Sequence, residues 1–368
     1  MRLVPIECVK EGSFLAKTIY DENERVLLRE GVTLTANLIK RIKLIPVYSV
    51  YINDEYSEGV IDDIIKPELR QKCIKTLKNT FNSIEKYSSS NTDSRNNNRN
   101  IPVENFLSIN DLAQEIMDEV LSSKNLMISL VDIKNLDNYT YQHSVNVAVL
   151  SLVLGSQLNL RKSELFDLCT GALIHDIGKI FIPKEVLNKV EALTADEFSL
   201  ISEHTVKGYN YLKGSSDVSS VPRIIALQHH EKVNGKGYPE HRESDKINKL
   251  AKITAICDVY DALTSDRPYR RAMLPSDALE YIMAHSGTHF DYEMVKAFSK
   301  IIVPYPEGTI VKLSNGDIGI VQTTYVNFPL RPQIKILRSK NPEMLNQYIN
   351  LTDNLSIVIE SIEYELSS

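Results

Sequence analysis

From Val103 to Ile301 the chain reads as one helical pattern after another with no credible strand, and all eight histidines lie inside that stretch, between positions 143 and 289. A run of this kind can bury its apolar faces only by packing helix on helix, so the expected fold is mainly α. Thr140 to Leu158 is apolar on every side, as a buried helix must be. Ser163 is a cap residue for the next helix, which ends at His175-Asp176. Thr194-Ala-Asp-Glu197 is a capping-box pattern that opens a helix through His204 towards Leu212. Val221 to Gln228 leads into His229-His230, with Pro222 tolerated in the first turn. Helices over Lys246–Leu263, over Pro275–His285 and from the cap residue Asp291 to Ile301 complete the bundle.

The chemistry is concentrated at the ends of these helices. In Gly171-Ala-Leu-Ile-His-Asp-Ile-Gly-Lys179 a His and an Asp stand side by side, and both side chains are donors to divalent cations. Lys179 lies one helical turn beyond His175, where its ammonium could meet a phosphate oxygen. Taken singly, the pair also fits a helix end closed by Gly178 with His175 hydrogen-bonded in the core. His143, His204, His229 and His230 lie at comparable positions, with Asp176, Glu231 and Asp258 as neighbouring acids. So many donors exceed the need of one tetrahedral ion, so two ions are expected. Imidazole and carboxylate without thiolate suit iron or manganese better than structural zinc.

The flanks differ in character. Residues 1–60 read as a small mixed module of regulatory type, with β-type runs at Ser13–Ala16, Arg25–Leu28 and Val47–Ile52 around a helix from Thr35 to Lys43. Residues 61–102 read as a polar helix followed by a flexible linker, because Ser88 to Asn100 contains no apolar residue to offset its ordering entropy. Residues 103–303 form the expected catalytic domain. Residues 304–368 alternate like strands at Gly308–Leu313, Ile318–Thr323 and Pro332–Leu337, with Asn315-Gly316 as a two-residue hairpin turn.

Composition narrows the partners. A net charge of −6 argues against DNA or RNA and against anionic membrane surfaces, so a phosphate-bearing ligand must be caught by local cations or metals. The four cysteines are scattered without a Cys-x-x-Cys pair, which predicts neither a disulfide framework nor a zinc ribbon. Pro5 and Glu7 break any signal-peptide core, and no apolar run reaches the ~18 residues needed to cross a bilayer. A reducing cytoplasm is the expected location.

Six motifs follow one another in order. They are Asp137-Asn-Tyr-Thr-Tyr-Gln-His143-Ser, Leu173-Ile-His175-Asp176-Ile-Gly-Lys179, Glu203-His204, His229-His230-Glu231, Gly235-Lys-Gly237-Tyr238-Pro239 and Asp258-Val-Tyr-Asp261-Ala-Leu-Thr-Ser-Asp-Arg267-Pro-Tyr-Arg270. Over roughly residues 103 to 302 this series resembles the HD-GYP family, a branch of the HD-domain phosphohydrolases that hydrolyse cyclic di-GMP. The resemblance implies an all-helical bundle with a central metal site, and it implies His143, His175, Asp176, His204, His229, His230 and Asp258 as ligands, with Asp176 bridging two ions. It assigns Lys179 to phosphate or to the metal-activated water, and Arg267 and Arg270 to phosphate. Tyr238 in the Gly235–Pro239 loop is a candidate for stacking on guanine, and equally an aromatic plug of its own domain. The loop is also where a diguanylate cyclase partner would dock. Asp261 is expected to support the site rather than to ligate.

The implied activity is hydrolysis of cyclic di-GMP to linear pGpG. Members that hold a third ion carry a glutamate where this chain has Tyr139, a neutral phenol at pH 7, so two ions and slow onward conversion to GMP are expected. Where the family commonly has Phe-Asp-Pro, this chain has Phe290-Asp291-Tyr292, a change without chemical consequence. Two alternatives stand beside this reading: a phosphohydrolase of the wider HD superfamily acting on another nucleotide, and a catalytically silent cyclic di-GMP receptor or docking module. A homodimer is compatible with the sequence.

Overall fold

Among the described residues every strand lies before or after the helical run and none within it. The structure is a computed structural model, and it describes residues 1–20, 25–45, 47, 49–55, 57, 64–90, 106–123, 139–265, 272–325 and 327–364. Strands β1 (Arg2–Pro5), β2 (Phe14–Leu15), β3 (Ile19–Tyr20) and β4 (Val26–Leu28) precede helix α1 (Ala36–Ile42) and strand β5 (Ser49–Asn53). An antiparallel sheet runs β1-β5-β2, and β3 and β4 form a separate two-stranded ribbon. β1 was not anticipated, because Pro5 closes it after four residues. Thr35 caps α1 by accepting from the Leu38 amide at 3.3 Å. Val4, Ile6, Leu15, Leu34, Val50 and Ile52 fill this module's core.

Helix α2 (Pro67–Ser90) starts on a proline, where the missing amide costs nothing, and it runs on into the polar stretch expected as a linker. Residues 91–100 of that stretch lie outside the described residues. Cys73, Leu77, Phe81 and Ile84 on α2 join the same core as α3 (Leu107–Ser122) and α4 (Tyr139–Gln157). In α4 every residue from His143 to Gly155 is buried. Each fully buried Val or Leu there contributes about 1.5–3 kcal/mol, so a helix without a polar face is stable only at the centre of a bundle. α5 (Lys162–Ile174), α9 (Ser220–Gln228), α10 (Lys249–Leu263) and α12 (Tyr292–Ile301) pack around this centre.

Three boundaries differ from the sequence reading. α5 begins at Lys162 rather than at a Ser163 cap, because the Glu164 carboxylate reaches back to the Arg161 amide at 3.0 Å. A four-residue helix, α6 (Lys184–Leu187), precedes the expected continuous helix, which divides at Glu203 into α7 (Ala195–Ser202) and α8 (His204–Lys213). The capping box of Thr194 and Glu197 does open α7. α10 starts at Lys249, where the Asn248 side chain accepts from the Leu250 amide, and Lys246 belongs to a preceding 3₁₀ turn. α11 (Pro275–Ala284) completes the helices.

The C-terminal residues form β6 (Ile310–Leu313), β7 (Ile318–Thr323), β8 (Gln333–Arg338), β9 (Tyr348–Asn350) and β10 (Ile359–Glu363). They build one antiparallel sheet in the order β10-β6-β7-β8-β9. The turn at Asn315-Gly316 spans three residues rather than two, since Leu313 and Asp317 close it through Leu313 N–H to Asp317 O at 2.8 Å. β10 returns from the chain end to pair with β6, a partnership between residues too far apart for local pattern to announce.

Candidate metal centre

The helix ends deliver the donors to one place. His143 stands on the second turn of α4, His175 closes α5, His204 opens α8, His229 closes α9 with His230 beside it, and Asp258 lies on α10. These atoms form two groups, Asp176 with His204, His229 and His230, and His143 with His175 and Asp258. Asp176 faces both: Oδ1 lies 3.4 Å from His204 Nε2, and Oδ2 lies 3.4 Å from His175 Nε2. Asp258 likewise points Oδ1 at His143 Nε2, 3.0 Å away, and Oδ2 towards His230 Nδ1 at 3.8 Å.

The backbone decides which ring nitrogens face inward. His175 Nδ1 donates to Ala172 O at 2.7 Å, His204 Nδ1 to Ile201 O at 2.7 Å, and His229 Nδ1 to Ala226 O at 3.0 Å. A carbonyl can only accept, so Nδ1 of each ring carries a proton, and Nε2 is the nitrogen turned into the site. The His204 and His229 Nε2 atoms face each other at 3.3 Å with no proton to share, and the Asp176 carboxylate stands beside them. His175 Nε2 and Asp176 Oδ1 are buried without a hydrogen-bond partner. Electron pairs packed this closely repel unless a cation lies among them, so the residues present fit divalent metal ions.

The titration pattern has the same origin. Burial drives the His204 pKa down to about 4 and holds His229 well below its ordinary value, so both are neutral donors. Burial opposes the charge on Asp176, but the Lys179 ammonium and His175 outweigh it and hold the carboxyl well below the usual range. Burial also opposes protonation of His143, yet hydrogen bonds to Asp258 and Asp261 raise it to about 9.

Close backbone approach makes this possible. The chain after α5 turns through a 3₁₀ segment, Ile177–Phe181, and Gly178 lies against the first turn of α8. A Cβ at Gly178 would fall 1.8 Å from His204 O. Gly178 therefore serves the contact between Asp176 and His204 rather than a left-handed helix end. Lys179 sits on this 3₁₀ segment, and its Nζ donates to Asp176 Oδ2 at 2.5 Å.

Two acids of the sequence reading face away from the donor groups. Glu231 is buried with its carboxylate turned to the following loop, where it accepts from the amides of Glu240 at 2.7 Å and Arg242 at 3.0 Å. Gly237 is pressed against this turn, since a Cβ there would lie 2.3 Å from the Lys232 amide. Asp261 lies behind His143, its Oδ2 2.7 Å from His143 Nδ1. The loop lays Tyr238 over His230, ring centroids 4.8 Å apart, and edge-on to Phe198 at 5.8 Å. Tyr139 stacks on His143 at 5.6 Å. Arg267 and Arg270 lie outside the described residues.

Asn146, 1% exposed, escaped the sequence reading although its Nδ2 donates to Asp261 Oδ1 at 3.0 Å. Its signal was available: it is a lone amide three residues after His143 in an otherwise apolar run.

The HD domain family matches residues 120–294, and a KOW domain associated with HD domain matches residues 310–365. Residues 120–294 are thus similar to HD domains and residues 310–365 to KOW domains, and the former stretch holds the His/Asp cluster that could bind metal ions. Over 235 residues it is 39% identical to the cyclic di-GMP phosphodiesterase PA4108 of Pseudomonas aeruginosa, covering 63% of this chain and 56% of that protein. It is 32% identical over 248 residues to the cyclic di-GMP phosphodiesterase response regulator RpfG of Xanthomonas campestris pv. campestris, covering 65% and 61%. It is 36% identical over 169 residues to the 3'3'-cGAMP-specific phosphodiesterase 1 of Vibrio cholerae, covering 46% and 38%. The chain thus spans less than two thirds of the length of these relatives. Among the described residues no helix is long and apolar enough to cross a membrane.

Proposed function

We propose that this chain is a metal-dependent phosphodiesterase that hydrolyses cyclic di-GMP to linear pGpG. The observation that carries the reading is the pair of buried donor groups meeting at Asp176. His143, His175 and Asp258 would hold one ion, and His204, His229 and His230 would hold the other, with Asp176 beside both groups. Iron or manganese fits this donor set. When bound, such ions supply Lewis acidity towards a phosphodiester and an activated water at neutral pH.

The chain's own residues do the rest. The three rings locked through Nδ1 keep their Nε2 atoms aimed inward without reorganisation. Lys179, held on Asp176, is placed to meet a phosphate oxygen, and Arg267 and Arg270 supply bidentate phosphate contacts. Tyr238 forms the wall beside His230 on which a guanine can stack. Tyr139 adds no carboxylate, so two ions per chain and accumulation of pGpG are expected. Residues 1–60 act as a regulatory module, 61–102 as helix and linker, 103–303 as the catalytic domain, and 304–368 as an accessory β-module. The cytoplasm is the place of action, and the Gly235–Pro239 loop is the surface for a diguanylate cyclase.

The deciding experiment loads the full chain anaerobically with Fe(II) or Mn(II), counts the ions, and follows cyclic di-GMP, 3'3'-cGAMP and nucleoside triphosphates by chromatography. Conversion of cyclic di-GMP to pGpG supports the proposal. Preference for 3'3'-cGAMP or a triphosphate, or tight cyclic di-GMP binding without turnover by the metal-loaded protein, would overturn it.

A further inference from the structure

Behind His143 a chain of hydrogen bonds leads away from the metal centre to α2. The Arg70 Nη1 donates to Asn146 Oδ1 at 2.5 Å, Asn146 Nδ2 donates to Asp261 Oδ1 at 3.0 Å, and Asp261 Oδ2 faces His143 Nδ1 at 2.7 Å. Asn146, Asp261 and His143 are each 3% exposed or less, and Arg70 is half-buried. The polarity of every link follows from the first. A guanidinium has only donors, so the amide must present its oxygen to Arg70 and its NH₂ to Asp261. A carboxylate accepts, so His143 Nδ1 carries a proton towards Asp261, and Nε2, which faces Asp258 at 3.0 Å, is the nitrogen that would ligate once a metal displaces its proton.

We infer that Arg70 is a positioning residue for the metal centre: it sets the orientation and tautomer of His143 through Asn146 and Asp261, and so ties the centre to α2. His175, His204 and His229 take their tautomer from a carbonyl only three or four residues earlier in the chain. Among these four rings His143 depends on distant chain, 118 residues away at Asp261 and 73 residues away at Arg70 (143 − 70). α2 follows the N-terminal strands in the chain, so a shift of α2 would be transmitted to His143 through these hydrogen bonds.

The inference rests on His143 as a metal ligand and is independent of the substrate. Its test is Co(II) titration of the full chain, read by the visible spectrum and by affinity, in Arg70→Met, Arg70→Lys, Asn146→Ala, the Arg70→Met/Asn146→Ala double variant and Lys72→Ala. Outer partners of metal-bound histidines are worth about 10–100-fold in affinity, so Arg70→Met should weaken one site by that factor and change its spectrum. Arg70→Lys, which keeps a donor, should recover most of the loss. Lys72→Ala, on the same helix as Arg70, removes an exposed pair with Glu115 of α3 and should leave both readouts unchanged. Asn146→Ala should match Arg70→Met, and the double variant should lose nothing further.

A folded Arg70→Met protein with wild-type cobalt affinity and spectrum overturns the inference, as does full additivity in the double variant. Should Arg70→Met not fold, Asn146→Ala decides: weakened cobalt binding supports the relay and wild-type binding overturns it. Wild-type cobalt binding by His143→Ala would instead remove the metal-ligand reading itself.

Discussion

At the scale of single residues, Asp176 is the point of greatest leverage. Its two oxygens face different histidine groups, so a side chain without a carboxylate abandons both contacts. Asp176→Ala is expected to lose at least one ion per chain and about two orders of magnitude or more in turnover. Elemental analysis together with a cyclic di-GMP assay checks this, and wild-type metal content with wild-type turnover would sink the assignment. For Arg270, loss of a charge-assisted phosphate contact should cost about ten- to a hundredfold in affinity or rate in Arg270→Ala, with thermal stability unchanged. A melted Arg270→Ala protein whose folded remainder hydrolyses normally would make the arginine structural.

The same buried groups make the metal-free protein sensitive to pH. Burial lowers the His204 pKa to about 4, so between about pH 6.5 and 4 the unfolded chain binds more protons than the folded one, and stability falls as pH drops through that window. His143 acts in the opposite sense. Despite its burial, Asp258 and Asp261 raise it to about 9, so its contribution is fully present below pH 6.5 and is lost as pH rises towards 9. Denaturant unfolding in the presence of a chelator should therefore show a stability maximum near pH 6–7, and a flat profile from pH 5 to 9 would contradict these assignments. A metal competes with protons for the His143 and His204 rings, so loading should flatten the profile.

At the scale of elements, the critical contact is that of the 3₁₀ segment Ile177–Phe181 with the start of α8. Gly178→Ala places a methyl 1.8 Å from His204 O and 2.6 Å from the Gly208 amide, with backbone rather than a yielding side chain in the way. The two segments must separate, at a cost of about 1–3 kcal/mol. Separation also withdraws Asp176 from His204, so metal affinity should fall together with the denaturation midpoint. A variant with a lowered midpoint and unchanged metal affinity would show that the contact serves packing alone.

At the scale of the whole molecule, the prediction concerns stoichiometry. The proposed function predicts two ions, one for each donor group, with Tyr139 stacking its ring on His143 and bringing no carboxylate. A time course with the loaded full chain should show pGpG rising nearly to the level of cyclic di-GMP consumed. Three tightly held ions, or GMP without a detectable linear intermediate, would refute the two-ion reading.

The sequence by itself determined whatever depends on near neighbours along the chain. The capping box at Thr194, the all-apolar α4 and the strands after Gly308 were legible because capping and periodicity act within a few residues. The seven donors were legible as types and as a cluster in the chain, and the resemblance of their motifs implied one ligand set, whereas their division into two groups came with the fold. Tertiary structure alone decided where each acid points. Glu231 and Asp176 are both acids adjacent to histidines, yet one binds loop amides and the other faces two histidine groups. It alone decided that His204 and His229 oppose their lone pairs, and that α2, read as a polar helix leading to a linker, enters the core and reaches His143 through two other side chains. The physical reason is range: propensity and capping are properties of the chain within one or two turns, whereas lone-pair repulsion and hydrogen-bond polarity act between atoms that only folding brings within about 3–4 Å.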